Sequence, residues 1–449
     1  MTDPAFPLLR RAAEELGVRA WVVGGYVRDA LLGRDHHDEL DVLVEDGRAL
    51  ELAERFAALA GARRPALFPR FGTAQVTWGD RAVEFVSARA ESYAPGSRKP
   101  FVRPASVQED LLRRDFTVNA ILMDFDGRVH DPLGARADLA RRLLRTPRPA
   151  EVTFSDDPLR MLRAVRFAGQ LGFDLAPDLL PTIRRLRDRA RPPVLSVERI
   201  ADELRKMLLS DQPRRALELL DEGGLLELLL PEVFACHGVV QGGYHVADVY
   251  GHTLLTVEAA AAAETGPRRD IVLRLAALFH DVGKPATATP DGAFHGHQDV
   301  GAELTHAALT RLRFSGGDVD RVSRLVRLHL RPVFYESSWG DGAVRRLARD
   351  AADLLWTLLA LARADVAASA YPDGDKLDEL EARLRAVLEE TPTRMRIPIT
   401  GRDVMLVRGL SPGPEVGRIK AALEELVLDG TLPPDREVLL AYLRRHQAL

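Results

Sequence analysis

Three carboxylates in the first hundred residues have the spacing of a magnesium site. Residues 38–41 are Asp-Glu-Leu-Asp at the entrance of an apolar run, and side chains two residues apart on a strand share a face, so Glu39 and Asp41 converge. Glu84 stands inside a later strand-like run, where a charge needs a partner or a metal ion. Such carboxylates hold Mg²⁺ ions that bridge a nucleoside triphosphate and an attacking hydroxyl. A solvated acidic loop is the alternative.

A double glycine precedes the acidic run. Gly24 and Gly25 are followed by Tyr-Val-Arg-Asp, which predicts a tight turn at the N-terminus of a helix. Free N–H groups at such a turn favour an anion such as a triphosphate, and Arg28 lies about one helical turn further on. A plain strand-to-helix turn is the alternative.

Charged residues recur at steps of three just after residue 156. The spacing places them on one face of a predicted helix, and an aspartate acceptor beside arginine donors suits the edge of cytosine or adenine, which carry an amino group next to a ring acceptor. Uracil lacks that pair. A salt-bridged, exposed helix face is the alternative. The residues are Asp157, Arg160, Arg163 and Arg166.

Histidines cluster in the second half of the chain. Imidazoles and carboxylates at helix ends inside a helical bundle are good ligands for divalent metals, whereas any single one could be a buried histidine with an ordinary hydrogen bond. His237, His245, His295 and His306 have no clear place in the pattern. The candidate ligands are His252, His280, Asp281, His297, His329 and Asp365.

The elements that must position these residues change character along the chain. Helical spacing over 7–17, a strand before Gly24, a helix ending at Gly33 and two further strands predict a small mixed α/β domain ending near residue 145. Beyond residue 157 nearly every segment is an amphipathic helix. We therefore expect an α+β protein, with a mixed α/β head followed by helices.

Composition narrows the functional classes. The 449 residues are 46% hydrophobic and 29% charged with a formal net charge of -4, which is ordinary globular composition. The chain has no run of eighteen apolar residues and no signal-type N-terminus, so we expect no membrane contact and a cytoplasmic protein. The single cysteine, Cys236, excludes an internal disulfide and a thiolate zinc site.

The motifs together resemble the class II tRNA nucleotidyltransferases, which comprise CCA-adding, CC-adding and A-adding enzymes and bacterial poly(A) polymerases. The resemblance covers residues 20 to 440 and is carried by VVGGYVRDALLG, ELDVLV, AVEFVSARAESY, EDLLRRDFTVNAIL and DDPLRMLRAVRFA. It implies Mg²⁺-dependent transfer of C or A from CTP or ATP onto a tRNA 3′ end, with release of pyrophosphate. It also implies a catalytic head over 1–145, a base-recognition neck over 146–230 and a tRNA-binding tail over 371–449.

The resemblance assigns roles to individual residues. Glu39 and Asp41 match the metal-binding pair and Glu84 the third acidic position, while Gly25 and Arg28 match triphosphate contacts. The residues implied around the phosphates, sugar and base are Arg114, Asn119, Asp157, Arg160, Arg163 and Arg166. The family's first carboxylate is normally aspartate, so either Glu39 takes its place or Asp38 does so from a bulged strand.

The histidine pattern resembles the HD phosphohydrolases. HDVGKP with a downstream GHQDVGA carries this second resemblance, which implies a helical domain over 231–370 that binds an ion such as Mn²⁺ or Ni²⁺ and hydrolyses phosphomonoesters or cyclic phosphodiesters. Two hypotheses stay open beside CCA-end synthesis: a poly(A) polymerase, or a metal phosphohydrolase whose N-terminal domain only binds RNA. The nearly full-length loop over 91–106 disfavours addition of C alone. Oligomeric state is not predicted.

Overall fold

The computed structural model describes residues 3–34, 39–92, 101–242, 247–264, 269–370, 374–390 and 397–446. Asp38, His245 and the middle of the predicted loop, residues 93–100, lie outside the described residues. The chain divides into two compact units, residues 1–229 and 230–449.

Eleven strands occur in the described part of the first unit. They are β1 (Ala20–Val23), β2 (Glu39–Val44), β3 (Ala66–Phe68), β4 (Thr73–Trp78), β5 (Arg81–Ser87), β6 (Arg89–Ser92), β7 (Phe101–Pro104), β8 (Leu122–Met123), β9 (Val129–His130), β10 (Leu143–Leu144) and β11 (Asp174–Leu175). Seven of them form one sheet in the order β3-β4-β5-β2-β1-β8-β9. The β2–β5 pair is parallel and the other neighbours are antiparallel. The remaining strands form the two-stranded pairs β6-β7 and β10-β11.

The helices of this unit follow the strands and then replace them. They are α1 (Phe6–Leu16), α2 (Gly25–Leu31), α3 (Ala49–Ala60), α4 (Val107–Leu112), α5 (Ala135–Ala140), α6 (Ala150–Asp156), α7 (Leu159–Leu171), α8 (Leu179–Leu186), α9 (Val197–Leu208), α10 (Pro213–Glu222) and α11 (Leu225–Leu229). Helix α7 packs closely on α10, because a Cβ at Gly169 would lie 2.8 Å from the Cβ of Ala216.

One face of the large sheet is covered and the other carries the acidic residues. Phe56 of α3 packs against Phe85 and Trp78, with ring centroids 5.6 and 5.9 Å apart. Because successive strand residues point to opposite faces, Glu84 and Asp41 stand on the face away from Phe85. The strand pattern therefore separates the core from the candidate site.

The second unit is helical throughout its described residues. Its helices are α12 (Pro231–Phe234), α13 (Val249–Ala263), α14 (Ile271–Phe279), α15 (Lys284–Thr287), α16 (His297–Arg311), α17 (Gly316–Leu328), α18 (Leu330–Val333), α19 (Asp341–Ala351), α20 (Leu355–Ala367), α21 (Gly374–Glu390), α22 (Gly401–Arg408), α23 (Pro414–Leu428) and α24 (Arg436–Arg445). A separate apolar cluster holds α22, α23 and α24 together around Val404, Leu423 and Leu439. The expected mixed head followed by helices is confirmed. Among the helices of the described residues, none has the length and apolar character needed to cross a membrane.

Candidate functional site

The acidic residues of the head meet on the open face of the sheet. Glu39 and Asp41 lie two residues apart on β2, whose pairing with β5 runs without a bulge from Glu39 opposite Ala82 to Val44 opposite Ser87. Asp41 is directly opposite Glu84 in that register. The three carboxylates therefore share one face, which the spacing predicted for Glu39 and Asp41, although Glu39 and Glu84 are more exposed than Asp41.

Asp41 has an environment that suits a divalent cation. Burial, together with the nearby charges of Glu84 and Glu39, raises the pKa of Asp41 to about 6 even though Arg114 opposes the shift. A buried carboxylate that faces two further acidic groups attracts a cation. The residues present therefore fit the metal ion that the resemblance implies.

Gly24 makes the approach to Asp41 possible. It follows β1 with a φ of 85°, and a Cβ placed on it would lie 2.8 Å from Oδ2 of Asp41. A Cβ on Gly25 would meet only Nη2 of Arg28, at an ordinary 3.6 Å. The glycine against the Asp41 carboxylate is therefore Gly24, while the predicted contact of Gly25 with a triphosphate stays a prediction.

Two consecutive arginines donate hydrogen bonds to one buried aspartate. Asp110 is fully buried and accepts hydrogen bonds from Nε of Arg113 at 2.9 Å and from Nη2 of Arg114 at 3.3 Å. Among the described residues, Nε of Arg114 is buried and has no hydrogen-bond partner. Asp110 thus aims two positive charges at the acidic face.

A chain of hydrogen bonds connects the double-glycine helix to α7. Both oxygens of Asp29 accept from Arg28 at 2.8 Å, and Nη1 of Arg28 donates to Oδ1 of Asn119 at 2.7 Å. Asn119 donates to Asp115 at 3.0 Å, and Asp115 accepts from Nε of Arg163 at 2.8 Å. Burial alone would raise the pKa of Asp115, but Arg163 and the Asn119 hydrogen bond lower it below its usual range.

The predicted helix with four charged residues on one face is interrupted. Asp157 has extended backbone, with φ -140° and ψ 103°, and α7 begins only at Leu159. The cause is Pro158, since a proline disfavours helical geometry in the residue before it. Asp157 therefore stands in the break between α6 and α7, and only the three arginines lie on α7.

The candidate base-reading residues are held by neighbours that are remote in sequence. Oδ2 of Asp157 accepts from Nη2 of Arg199 at 2.8 Å, while its Oδ1 accepts from the N–H of Leu159 at 3.1 Å. Arg160 donates to the carbonyl oxygens of Arg113 at 2.6 Å and Thr153 at 3.3 Å. Both side chains are thus oriented before any nucleotide binds.

These groups surround a cavity of about 380 Å³. The predicted residues Glu39, Gly25, Arg28, Asn119 and Arg166 are not among those that line it. Arg28 is buried in the hydrogen-bond chain. The metal-binding role of Glu39 and the nucleotide contacts of the other residues stay predictions. Residues that line the cavity and had been predicted are Asp41, Glu84, Arg114, Asp157, Arg160 and Arg163. Charged residues of the wall that sequence reasoning missed are Arg89, Arg113, Asp115 and Arg199.

Arg166 lies behind this wall. Its Nε donates to Glu203 of α9 at 2.6 Å, its Nη1 donates to Gln170 at 2.8 Å, and its guanidinium lies 4.0 Å from the ring centre of Phe167. Both Arg166 and Glu203 are buried, so the pair ties α7 to α9. Arg166 therefore supports the helix from which Arg163 reaches the cavity.

The second unit brings all six predicted ligands together. Asp281 is the centre: its Oδ2 lies 3.2 Å from Nε2 of His280, and its Oδ1 lies 3.4 Å from Nε2 of His297. Nε2 of His252 lies 3.8 Å from Oδ2 of Asp281 and 2.9 Å from Oδ1 of Asp365. Nε2 of His329 is 3.8 Å from Oδ1 of Asp281. The two oxygens of Asp281 thus face two different pairs of histidines, and each pair with Asp281 could hold a metal ion.

Backbone carbonyls orient three of these imidazoles. Nδ1 of His280, His297 and His329 lies 2.9, 2.8 and 2.6 Å from the carbonyl oxygen three residues earlier, so each ring donates its Nδ1 proton outward. The Nε2 atoms then converge, with His252 and His280 3.3 Å apart and His297 and His329 3.4 Å apart. Converging imidazole nitrogens fit a divalent transition metal.

The pKa values of two of the buried imidazoles are shifted in opposite directions. Burial would lower the pKa of His280, but the adjacent carboxylates of Asp281 and Asp365 raise it to about 9. Burial and the neighbouring His280 lower the pKa of His329 to about 4. Lys284 adds a further positive group 2.7 Å from Oδ2 of Asp281.

Comparison with known families covers most of the chain. Residues 20–145 match the poly A polymerase head domain, residues 172–236 a probable RNA and SrmB-binding site of polymerase A, and residues 249–369 the HD domain. Nucleotidyltransferase and HD domains typically use divalent metal ions.

Relatives match over nearly their full length. An A-adding tRNA nucleotidyltransferase of Deinococcus radiodurans is 37% identical over 90% of this chain and 91% of its own. A CC-adding tRNA nucleotidyltransferase of Thermus thermophilus is 37% identical over 93% of this chain and 92% of its own. The crystal structure of a Bacillus stearothermophilus CCA-adding enzyme in complex with CTP is 27% identical, covers 99% of this chain and 98% of that chain, and superposes with a TM-score of 0.70. The chain therefore belongs to the tRNA nucleotidyltransferase family, in the branch that joins a poly A polymerase head to an HD domain.

Proposed function

We propose that this enzyme adds C, A or both to the 3′ end of tRNA without a nucleic-acid template, using CTP and ATP and releasing pyrophosphate. The observation that carries the proposal is the 380 Å³ cavity in which Asp41 and Glu84 face Arg114, Asp157 and Arg160. Acidic metal ligands, triphosphate-binding charges and base-reading groups are thereby gathered around one volume.

The metal ligands would be Asp41, Glu84 and the more exposed Glu39. Mg²⁺ held there would activate the RNA 3′-hydroxyl and stabilise the charge that develops on the transferred phosphate. Arg113 and Arg114, fixed by Asp110, would neutralise the triphosphate. The 3′-hydroxyl loses its proton to water as its oxygen attacks the α-phosphorus, the bond from the α-phosphorus to the oxygen that bridges to the β-phosphate breaks, and pyrophosphate leaves with the negative charge.

Base selection would rest on Asp157 and Arg160. Each oxygen of Asp157 already accepts one hydrogen bond, and each has a second lone pair for the amino group of cytosine or adenine. Arg160 keeps further N–H donors for a ring nitrogen or carbonyl. Arg163 is held by Asp115 at the same wall.

Three tRNA transcripts test this proposal. They end at the discriminator base, after C, and after CC, and each is incubated with the protein, Mg²⁺ and CTP, ATP or both. Single-nucleotide addition of C and then A would identify a complete CCA enzyme, whereas C alone or A alone would place it in a split pathway. Long A tails would indicate a poly(A) polymerase. No extension of any transcript would refute the proposal and leave an RNA-binding head on a hydrolase.

The HD cluster supports a second activity, hydrolysis of phosphomonoesters or 2′,3′-cyclic phosphodiesters by a transition-metal site. Five of the six candidate ligands form two groups that share Asp281 and could each hold an ion, and Asp365 lies beside the first group, 2.9 Å from Nε2 of His252. Metal analysis of the purified protein and an assay with 2′,3′-cyclic AMP as substrate test this activity.

We assign the catalytic head to 1–145, the neck to 146–230, the HD domain to 231–370 and a tRNA-binding tail to 371–449. A cytoplasmic location stays a prediction.

A further inference from the structure

An aromatic side chain lies exposed beside the cavity of the head. Phe71, in the turn between β3 and β4, is 54% exposed. It is not among the residues to which the sequence assigned a role. Its ring carries the guanidinium of Arg70 at 5.9 Å from the ring centre.

Two contacts join Phe71 to the cavity wall. Its carbonyl oxygen accepts a hydrogen bond from Nη1 of Arg89 at 3.0 Å, and Arg89 lines the cavity. Two residues further on, Thr73 pairs with Val86, which also lines the cavity. Phe71 is therefore anchored next to the part of the wall formed by β5 and Arg89.

This part of the wall differs from the part that would read the incoming base. Asp157 and Arg160 come from the α6–α7 break and from α7, whereas Glu84, Val86 and Arg89 come from β5 and the start of β6. A transfer reaction needs two nucleotides in the cavity, the incoming triphosphate and the RNA terminus. The second of these requires a surface of its own.

We propose that Phe71 is the stacking platform for the base of the RNA 3′-terminal nucleotide, with Arg70 and Arg89 beside it for the adjacent phosphates. Single-stranded RNA ends are held by stacking on aromatic rings next to arginine, and stacking tolerates any base. That tolerance fits an enzyme that must accept termini of different sequence. This inference rests on the proposed function.

Kinetics with each substrate varied separately test the platform. In Phe71→Ala we expect the KM for tRNA to rise about tenfold, since the terminal base loses its stacking partner, with the KM for the nucleotide unchanged. Phe71→Tyr keeps the ring and should behave as the wild type. Phe68→Ala is the matched control, because Phe68 is a similarly exposed phenylalanine (48%) at the end of β3, whereas the carbonyl that accepts from the cavity-lining Arg89 belongs to Phe71.

A fluorescent RNA end provides a direct readout. 2-Aminopurine at the 3′ terminus is quenched by stacking, so we expect quenching on binding to the wild type and to Phe71→Tyr but not to Phe71→Ala. Equal quenching and equal KM values in Phe71→Ala would overturn the platform while leaving transfer intact. A rise in both KM values, or the same loss in Phe68→Ala, would also overturn it. A wild-type protein that extends no RNA would instead overturn the proposed function.

Discussion

In the first unit, the acidic side chains stand on neighbouring strands of an open sheet face, whereas in the second unit the candidate ligands point inward from five helices. Glu39 and Glu84 are exposed, while His252, His280 and His329 are almost fully buried. An open face can admit a triphosphate together with an RNA end. The negative charge of its carboxylates is balanced by the arginines around the cavity. The buried cluster instead encloses its candidate ligands, which converge on Asp281. The degree of enclosure thus distinguishes two sites that both use carboxylates.

The largest expected effect is the loss of nucleotide transfer at the first site while hydrolysis at the second site continues. Asp41→Ala should lower nucleotide transfer by a factor on the order of a thousand, because a metal ligand contributes several kcal/mol to transition-state stabilisation. Hydrolysis of 2′,3′-cyclic AMP should be unchanged. Asp80→Ala, at an exposed carboxylate between β4 and β5, is the matched control for transfer. Intact incorporation in Asp41→Ala would show that the metal assignment is wrong.

The reciprocal change should have the opposite effect. Asp281→Ala removes the carboxylate that faces both pairs of histidines, so we expect loss of bound transition metal and of cyclic-nucleotide hydrolysis, with extension of tRNA retained. Metal content by mass spectrometry checks this result. Asp299→Ala changes an exposed aspartate of α16 and should leave both properties unchanged. If Asp281→Ala kept its metal, the ligand set would be refuted.

A methyl group added at Gly24 should lower the rate of nucleotide transfer in the head. We expect Gly24→Ala to slow transfer by about a hundredfold, because its Cβ would displace the Asp41 carboxylate and small misplacements of reacting groups are costly. Gly33→Ala is the control, since Gly33 has a similar φ of 69° but open space around it. It should cost about 1–2 kcal/mol of stability and little activity. Equal losses of activity in the two variants would assign the effect to backbone strain.

The smallest expected effect concerns nucleotide choice. Arg160→Ala should reduce the preference for CTP and ATP over UTP by roughly tenfold to a hundredfold, since a specific base contact is worth ~1–3 kcal/mol. Arg199→Ala removes the hydrogen bond that orients Asp157 and one positive charge of the cavity wall but leaves Asp157 and Arg160 in place, so we expect a change of about threefold. Competition assays with pairs of nucleotides measure both. Unchanged preference in Arg160→Ala would contradict the base-reading role, and Arg191→Ala, at an exposed ion pair with Asp188, serves as the control.

Local spacing explains what could be predicted from the sequence. The alternation of β2 is a local property, so the shared face of Glu39 and Asp41 followed from two residues of spacing. The histidines of the HD domain carry a narrow motif, and the six residues that the resemblance names lie close together, while their role as metal ligands stays a prediction. Helix ends were equally local, since Gly17 and Gly33 both have positive φ.

Long-range contacts explain what could not be predicted. Arg199 meets Asp157 across 42 residues of sequence, and no spacing rule connects α9 with the α6–α7 break. Arg28 has the expected position on its helix, but Asp29 and Asn119 use its donors, which only the tertiary structure shows. The interrupted helix at Asp157 was a predictable exception, because Pro158 is visible in the sequence and disfavours helical backbone before it.

The hydrogen bonds of His280 and His329 to carbonyl oxygens also have a consequence for folding. These carbonyls belong to Ala277 and Val326, in the last turns of α14 and α17, where backbone oxygens have no partner within the helix. Each histidine therefore caps its own helix with the same proton that fixes its tautomer. One hydrogen bond thus completes the end of the helix and also leaves Nε2 of the same ring available to ligate a metal ion. A mutation that removes either ring would fray the helix as well as empty the site, so loss of metal and loss of local order should appear together.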